Sequence, residues 1–192
     1  AKPRGAMVVV RGTFDMPRYL RGTGGPGSVM NNDGDPNGIP KRNGTMKAAF
    51  LCTLPTSATG KKPAKMLLYG HGLLGSREEA LGLGSVAATV GVGFCATDWL
   101  GMSEADVPKV AGAFEDLTRF RTLPDRMQQG HIAFLLLGRL LRSAEGFATT
   151  APFLSTDSRP VIDTTELAFL GASQGGILGG AVGTQRAIQT QD

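Results

Sequence analysis

Five residues, Gly171-Ala172-Ser173-Gln174-Gly175, fit the pattern G-x-S-x-G. An apolar run, Leu167 to Leu170, precedes them, and a glycine-punctuated segment of helical character runs from Ser173 to about Gln189. In that context the serine sits on a strand-to-helix turn, held clear of a sheet as a nucleophile. The turn is too tight for side chains two residues to either side, which assigns Gly171 and Gly175 a structural role. A helix starting here also aims its first N–H groups at the site, where they favour developing negative charge. Two rival readings are a glycine-rich turn with an incidental serine and a phosphate-binding loop. Neither GK[ST] nor GxGxxG is present to support the second.

A second stretch, Tyr69-Gly70-His71-Gly72-Leu73-Leu74-Gly75-Ser76, follows the apolar run Lys65 to Tyr69. With the serine motif it resembles the α/β-hydrolases, in particular bacterial secreted lipases and esterases, from about Met46 to Gln189. GFCATDWLGMS, from Gly93 to Ser103, resembles their fourth strand and the loop after it. The resemblance implies a carboxylic ester substrate, an acyl-enzyme on Ser173, and no cofactor or metal. The oxyanion would be held by the backbone N–H groups of Leu73 and Gln174. His71 would shape its loop rather than act as base. Trp99, Met102 and Leu74 would line an acyl pocket or simply pack, and Asp98 would cap a loop. Rival functions are an acyltransferase or peptidase on the same fold, or a non-catalytic hydrolase-like binding module.

A serine hydroxyl needs a base within hydrogen-bond reach. In the family the order along the chain is Ser, acid, His. The residues after Ser173 include no histidine, and their one acid is Asp192. His131 lies upstream, inside a helix. The expectation is therefore the N-terminal part of a hydrolase domain. The acid and the His would come from a second chain or a C-terminal segment, through nicking, processing or truncation. Cys52 and Cys95 lack the spacing of a zinc site or a redox pair. They are two buried thiols or, because the family places the second strand beside the fourth, a disulfide. A disulfide would imply an oxidising compartment and hence secretion.

These residues need elements to position them. Ala6 to Phe14 reads as a strand. Met46 to Leu54 reads as another, with Met46, Ala48, Phe50, Cys52 and Leu54 on one face. Lys65–Tyr69, Val92–Thr97 and Leu167–Leu170 read as further strands. Helices are expected over Glu78–Val90, from about Pro124 to Arg142, and after Ser173. Residues 21–44 form a long polar loop, Asp98 to Pro108 a second loop, and 145–164 are irregular. The first two strands, joined without a helix, suit an antiparallel pair. The later strands alternate with helices, which suits a parallel sheet. The expected fold is a single α/β-hydrolase domain over 1–192. Its sheet would be mostly parallel, flanked by helices and incomplete in this chain.

Composition bounds the rest. With 41% hydrophobic and 19% charged residues, the chain is globular rather than disordered. The net charge of +4 is scattered. The clusters Lys61, Lys62, Lys65 and Arg119, Arg121, Arg126 lack interleaved aromatics, so nucleic-acid binding is not expected. No apolar run approaches the roughly 20 residues of a spanning helix. Asp33 to Gly38 begins like a calcium loop, but Lys41 and Gly44 stand where later ligands belong, so an Asx/Gly turn is the better reading. Asn43-Gly44-Thr45 fits a glycosylation sequon and equally a hairpin turn.

Overall fold

Two eleven-residue strands, β2 (Met7–Pro17) and β3 (Thr45–Pro55), pair antiparallel along their whole length, from Met7 against Pro55 to Pro17 against Thr45. In the computed structural model, which describes residues 1–35 and 37–189, this ribbon forms one side of a single sheet. A short β1 (Lys2–Arg4) pairs antiparallel with β2 at one edge. β4 (Ala64–Gly70), β5 (Val92–Thr97) and β6 (Ile162–Gly171) complete the order β1-β2-β3-β5-β4-β6.

The sheet is mixed, which corrects the expectation of a mostly parallel one. β5 and β6 both run parallel to β4, but β1–β2, β2–β3 and β3–β5 are all antiparallel. The cause is connectivity: β1, β2 and β3 follow one another without a crossover helix, and only a crossover returns the chain in the same direction. β1 and α2 (Val107–Glu115) have no counterpart among the expected elements, α2 starting inside the stretch expected as loop, and β6 begins five residues before the expected Leu167. The helix expected over Glu78–Val90 is a 3₁₀ helix, Arg77–Leu83, followed by α1 (Gly84–Val90). Gly91 ends it in the left-handed region at φ 71°, a common helix stop. α3 (Thr122–Arg142) carries Pro124 in its first turn, and α4 (Gln174–Gln189) follows β6. No helix among the described residues is long and apolar enough to cross a membrane.

Alternating side chains give the sheet two apolar faces. One packs Leu51, Tyr69, Phe94 and Ala96 against Ala80 and Ala87 of the 3₁₀–α1 layer. The other packs Phe50, Met66, Leu68 and Leu167 against Ala133, Leu137 and Leu141 of α3. α4 joins that second layer, where Val182 meets Trp99 and Phe134. The loop from 21 to 44 and the residues leading into it are tied down by α3. Asp125 accepts the Met30 N–H at 2.8 Å, and Gln129 accepts the Tyr19 N–H at 2.9 Å while donating to the Pro17 carbonyl.

This layering decides where a site can form. After β4 the chain leaves toward the α1 face, and after the adjacent β6 it leaves toward the α4 face. Loops diverging from neighbouring parallel strands open a crevice at their carboxyl ends. Gly70, His71 and Ser173 lie at or just past the carboxyl ends of β4 and β6.

Candidate functional site

β6 ends at Gly171, and α4 begins at Gln174. Between them Ser173 adopts φ 50°, the left-handed region that a non-glycine side chain rarely occupies. The turn is closed by Gly175 N–H to the Ala172 carbonyl at 2.8 Å and Gly176 N–H to the Ser173 carbonyl at 2.9 Å. The two flanking glycines leave no room for a β-carbon. One on Gly171 would collide with the backbone of Gly175 and Gly176, and one on Gly175 would collide with the carbonyls of Gly70 and His71. The serine is exposed at the apex of the turn. Its strain is local and is held by the backbone contacts around it.

The loop after β4 is built around Gly72. The Gly72 carbonyl accepts the Gly75 N–H at 3.1 Å, closing a turn with Leu74 at φ 53° in its third position. His71 is fully buried. Its Nε2 accepts the Trp99 N–H at 2.8 Å, so its proton lies on Nδ1, which donates to the Gly72 carbonyl at 2.8 Å. Both ring nitrogens are thereby engaged in the loop. Two donors on one carbonyl fix the plane of the Gly72–Leu73 peptide. In a trans peptide the N–H points opposite to the C=O, so the direction of the Leu73 N–H is set as well. No hydrogen bond of the turn uses that N–H. The Gln174 N–H, first in α4, has no acceptor within its helix.

A third loop joins these two. The Met102 carbonyl accepts the Leu74 N–H and the Gln174 side-chain amide, both at 3.2 Å. The amide orientation of Gln174 follows from that acceptor, and its Oε1 is buried without a protein partner among the described residues. The 98–106 loop is itself held by Asp106. This buried carboxylate accepts Gly101 N–H, Ser103 N–H and Ser103 Oγ–H, and pairs with buried Arg126 at 2.9 Å. Asp98 accepts the Arg77 N–H at 2.8 Å and pairs with its guanidinium, tying the two loops at their bases.

Hydrogen bonds and backbone contacts bring Ser173, Gln174, Leu73, Leu74, His71, Gly171, Gly175 and Met102 together where the three loops meet. Met102 packs with Leu74, Val110, Ala113 and Leu123. Of the two readings left open for Trp99, pocket lining and packing, the structure selects packing. Its indole is 1% exposed and stacked on Phe134 with ring centroids 3.7 Å apart, which makes it a core residue. His131 lies in mid-α3, its Nδ1 2.9 Å from the Met127 carbonyl. Asp192 lies outside the described residues. Asp33 is paired with Lys41 at 2.6 Å, and Asp35 accepts the Asn37 N–H in an Asx turn. Among the described residues no three acidic, His or Cys side chains gather as a metal site.

Cys52 and Cys95 are directly opposed on β3 and β5, with Cα atoms 4.1 Å apart, and form a disulfide. Of the readings left open for the pair, the structure selects this one. Glu79, expected only as part of the helix from Glu78, reaches the loop after β4. Its Oε2 accepts the Gly72 N–H at 3.0 Å and the Tyr69 hydroxyl at 3.2 Å. Burial, then the Glu79 charge, raises the Tyr69 phenol above its ordinary range, which keeps the hydroxyl a donor. A Glu in a first helical turn gives no sign in the sequence that it reaches back to a loop.

No family model matches this sequence, and no curated protein does. Solved structures with a similar arrangement include a PEG-bound cold-adapted esterase from an Arctic intertidal metagenomic library. It shows 13% identity and a TM-score of 0.48, over 94% of this chain and 57% of that one. Another is a dienelactone hydrolase-like promiscuous phosphotriesterase from metagenomic libraries. It shows 14% identity and a TM-score of 0.41, over 91% of this chain and 52% of that one. The chain thus spans a little over half the length of each.

Proposed function

We propose that this chain is the serine-bearing part of an α/β-hydrolase that cleaves carboxylic esters through an acyl-enzyme on Ser173. The observation that carries the reading is the strained serine, at φ 50° between two glycines that admit no β-carbon. Such strain is kept where function uses it. The Ser173 Oγ bonds to the ester carbonyl carbon while its proton passes to a base. The carbonyl oxygen becomes an oxyanion held by the Leu73 and Gln174 N–H groups. Collapse expels the alcohol, which takes the proton, and water then releases the acid and frees the serine.

The base in this scheme is a histidine supplied, with its acid, by a second chain or a further segment. The reason is chemical. His71 has both nitrogens committed to the loop it shapes, and the chain's other histidine, His131, sits within α3 with one nitrogen on its own helix. The disulfide supports a secreted or periplasmic setting, since such bonds persist in oxidising compartments.

The test is a fluorophosphonate probe on the intact protein, read by mass spectrometry, with Ser173→Ala as control. A single adduct on Ser173, together with turnover of simple carboxylic esters, is expected. An unlabelled Ser173 beside a folded protein defeats the enzyme reading and leaves a binding module. Labelling with cleavage of amides, or transfer to an added alcohol, redirects it to a peptidase or an acyltransferase.

A further inference from the structure

We propose that Glu79 is a positioning residue for the Leu73 N–H. This rests on the reading that the Leu73 N–H receives an oxyanion. Gly72 contributes to two successive peptides, and each is fixed from a different element. The Gly72–Leu73 peptide is held through its carbonyl by His71 Nδ1–H and Gly75 N–H. The His71–Gly72 peptide is held through its N–H by the Glu79 carboxylate at 3.0 Å. His71 and Gly75 belong to the same loop as Gly72, so their bonds to its carbonyl fix the Gly72–Leu73 peptide within that loop. The Glu79 bond ties the loop to the 3₁₀ helix; without it the backbone about Gly72 shifts more readily, as glycine allows, and the Leu73 N–H shifts with it.

Glu79 is exposed as a residue, and three further observations tie it to this loop. Tyr69, at the end of β4, donates its hydroxyl to the same oxygen, Oε2, at 3.2 Å. Gly75 has no space for a β-carbon because Glu79 fills it: a Cβ there would lie 2.9 Å from Glu79 Cδ and closer still to Oε1. The Glu79 N–H bonds the Ser76 carbonyl at 3.1 Å, which joins the start of the 3₁₀ helix to the end of the same loop. A carboxylate that serves only solubility does not require a glycine opposite it.

The experiment is the rate of fluorophosphonate labelling of Ser173 in the intact protein, with kcat and KM on an ester where turnover is found. Amide hydrogen exchange at Gly72 is followed in parallel. Glu79→Ala should slow labelling about tenfold or more, since small misplacements at a reacting centre are costly. It should lower kcat and kcat/KM together with KM unchanged, the signature of a contact made in the transition state. Gly72 exchange should quicken. Glu79→Gln, whose amide oxygen still accepts the N–H, should restore most of the rate. Gly75→Ala should slow labelling by displacing the carboxylate, and should add nothing further on the Glu79→Ala background. Labelling of Glu79→Ala at the wild-type rate overturns the proposal, as does a full additional loss from Gly75→Ala on that background. A wild-type protein that takes no label defeats the esterase reading itself, and the exchange at Gly72 then still reports whether Glu79 holds that amide.

Discussion

Gly70 and Gly175 touch backbone to backbone. They lie on different elements, one at the end of β4 and one in the first turn of α4, and an ideal β-carbon on Gly175 would overlap the Gly70 carbonyl. The Ala172 N–H also bonds that carbonyl, at 3.0 Å. The serine turn and the His71 loop are therefore one packed unit.

Gly175→Ala should be costly on this account, because the overlap is with backbone that cannot swing aside. A loss of about 1–3 kcal/mol, or more, is expected from overpacking. Gly82→Ala is the control, since a β-carbon there meets nothing within 4 Å. It should be neutral or stabilising by a few tenths of a kcal/mol. Denaturant midpoints of the two variants check this, and equal midpoints would refute the close contact.

Ser173→Gly should be more stable than Ser173→Ala. The position holds φ 50°, where alanine keeps the strain of the serine and glycine relieves about 1 kcal/mol of it. Both variants should lose all probe labelling. Thermal unfolding separates them, and an alanine variant as stable as the glycine variant would show that the turn is relaxed.

Breaking the Cys52–Cys95 bond should cost stability without rearranging the sheet. The two cysteines are 43 residues apart in sequence, and a loop of that size corresponds to about 4 kcal/mol in the chain-entropy model. The cross-strand register around them persists through Leu51 against Ala96 and Thr53 against Phe94. Denaturant unfolding with and without reductant should show the loss, while far-ultraviolet dichroism of the folded form should not change.

Acid should remove the Glu78–Arg11 pair. The hydrogen bond from Arg11 holds the Glu78 carboxyl below its ordinary value of 4.5. A carboxyl lowered on folding stabilises the protein fully above its unfolded value, and that stability fades as pH falls through the lower folded value. The window is therefore below about pH 4.5. Both partners are nearly half exposed, so the gain is under about 1 kcal/mol. Glu78→Gln should flatten that part of the stability–pH curve, and high salt should do the same to the wild type. A curve unchanged by the substitution would show that the pair contributes nothing.

Much of the candidate site's geometry was legible because it is local. Gly171, Ser173 and Gly175 act within five residues, and their steric demand is written in the residue types. The same holds for the turn from Gly72 to Gly75. Glu79, Asp106 and Arg126 were not legible, because their work is done across distances in sequence that charge alone does not reveal. Trp99 stayed open between two readings for a related reason. An aromatic just past a strand's carboxyl end can line a pocket or enter the core, and only the stacking partner Phe134, on another helix, settles which.

The sequence by itself determined the serine turn, the loop around His71, the strands that feed them and the split between an antiparallel start and an alternating β/α remainder. Periodicity, glycine spacing and turn chemistry act over a few residues, so the sequence carries them directly. Only the tertiary structure decided that β3 enters antiparallel beside β5, which makes the sheet mixed and brings Cys52 against Cys95. It also decided that Glu79 and His71 grip Gly72 from two sides. Those outcomes depend on which elements meet, and that is set by the packing of both sheet faces at once rather than by any one segment.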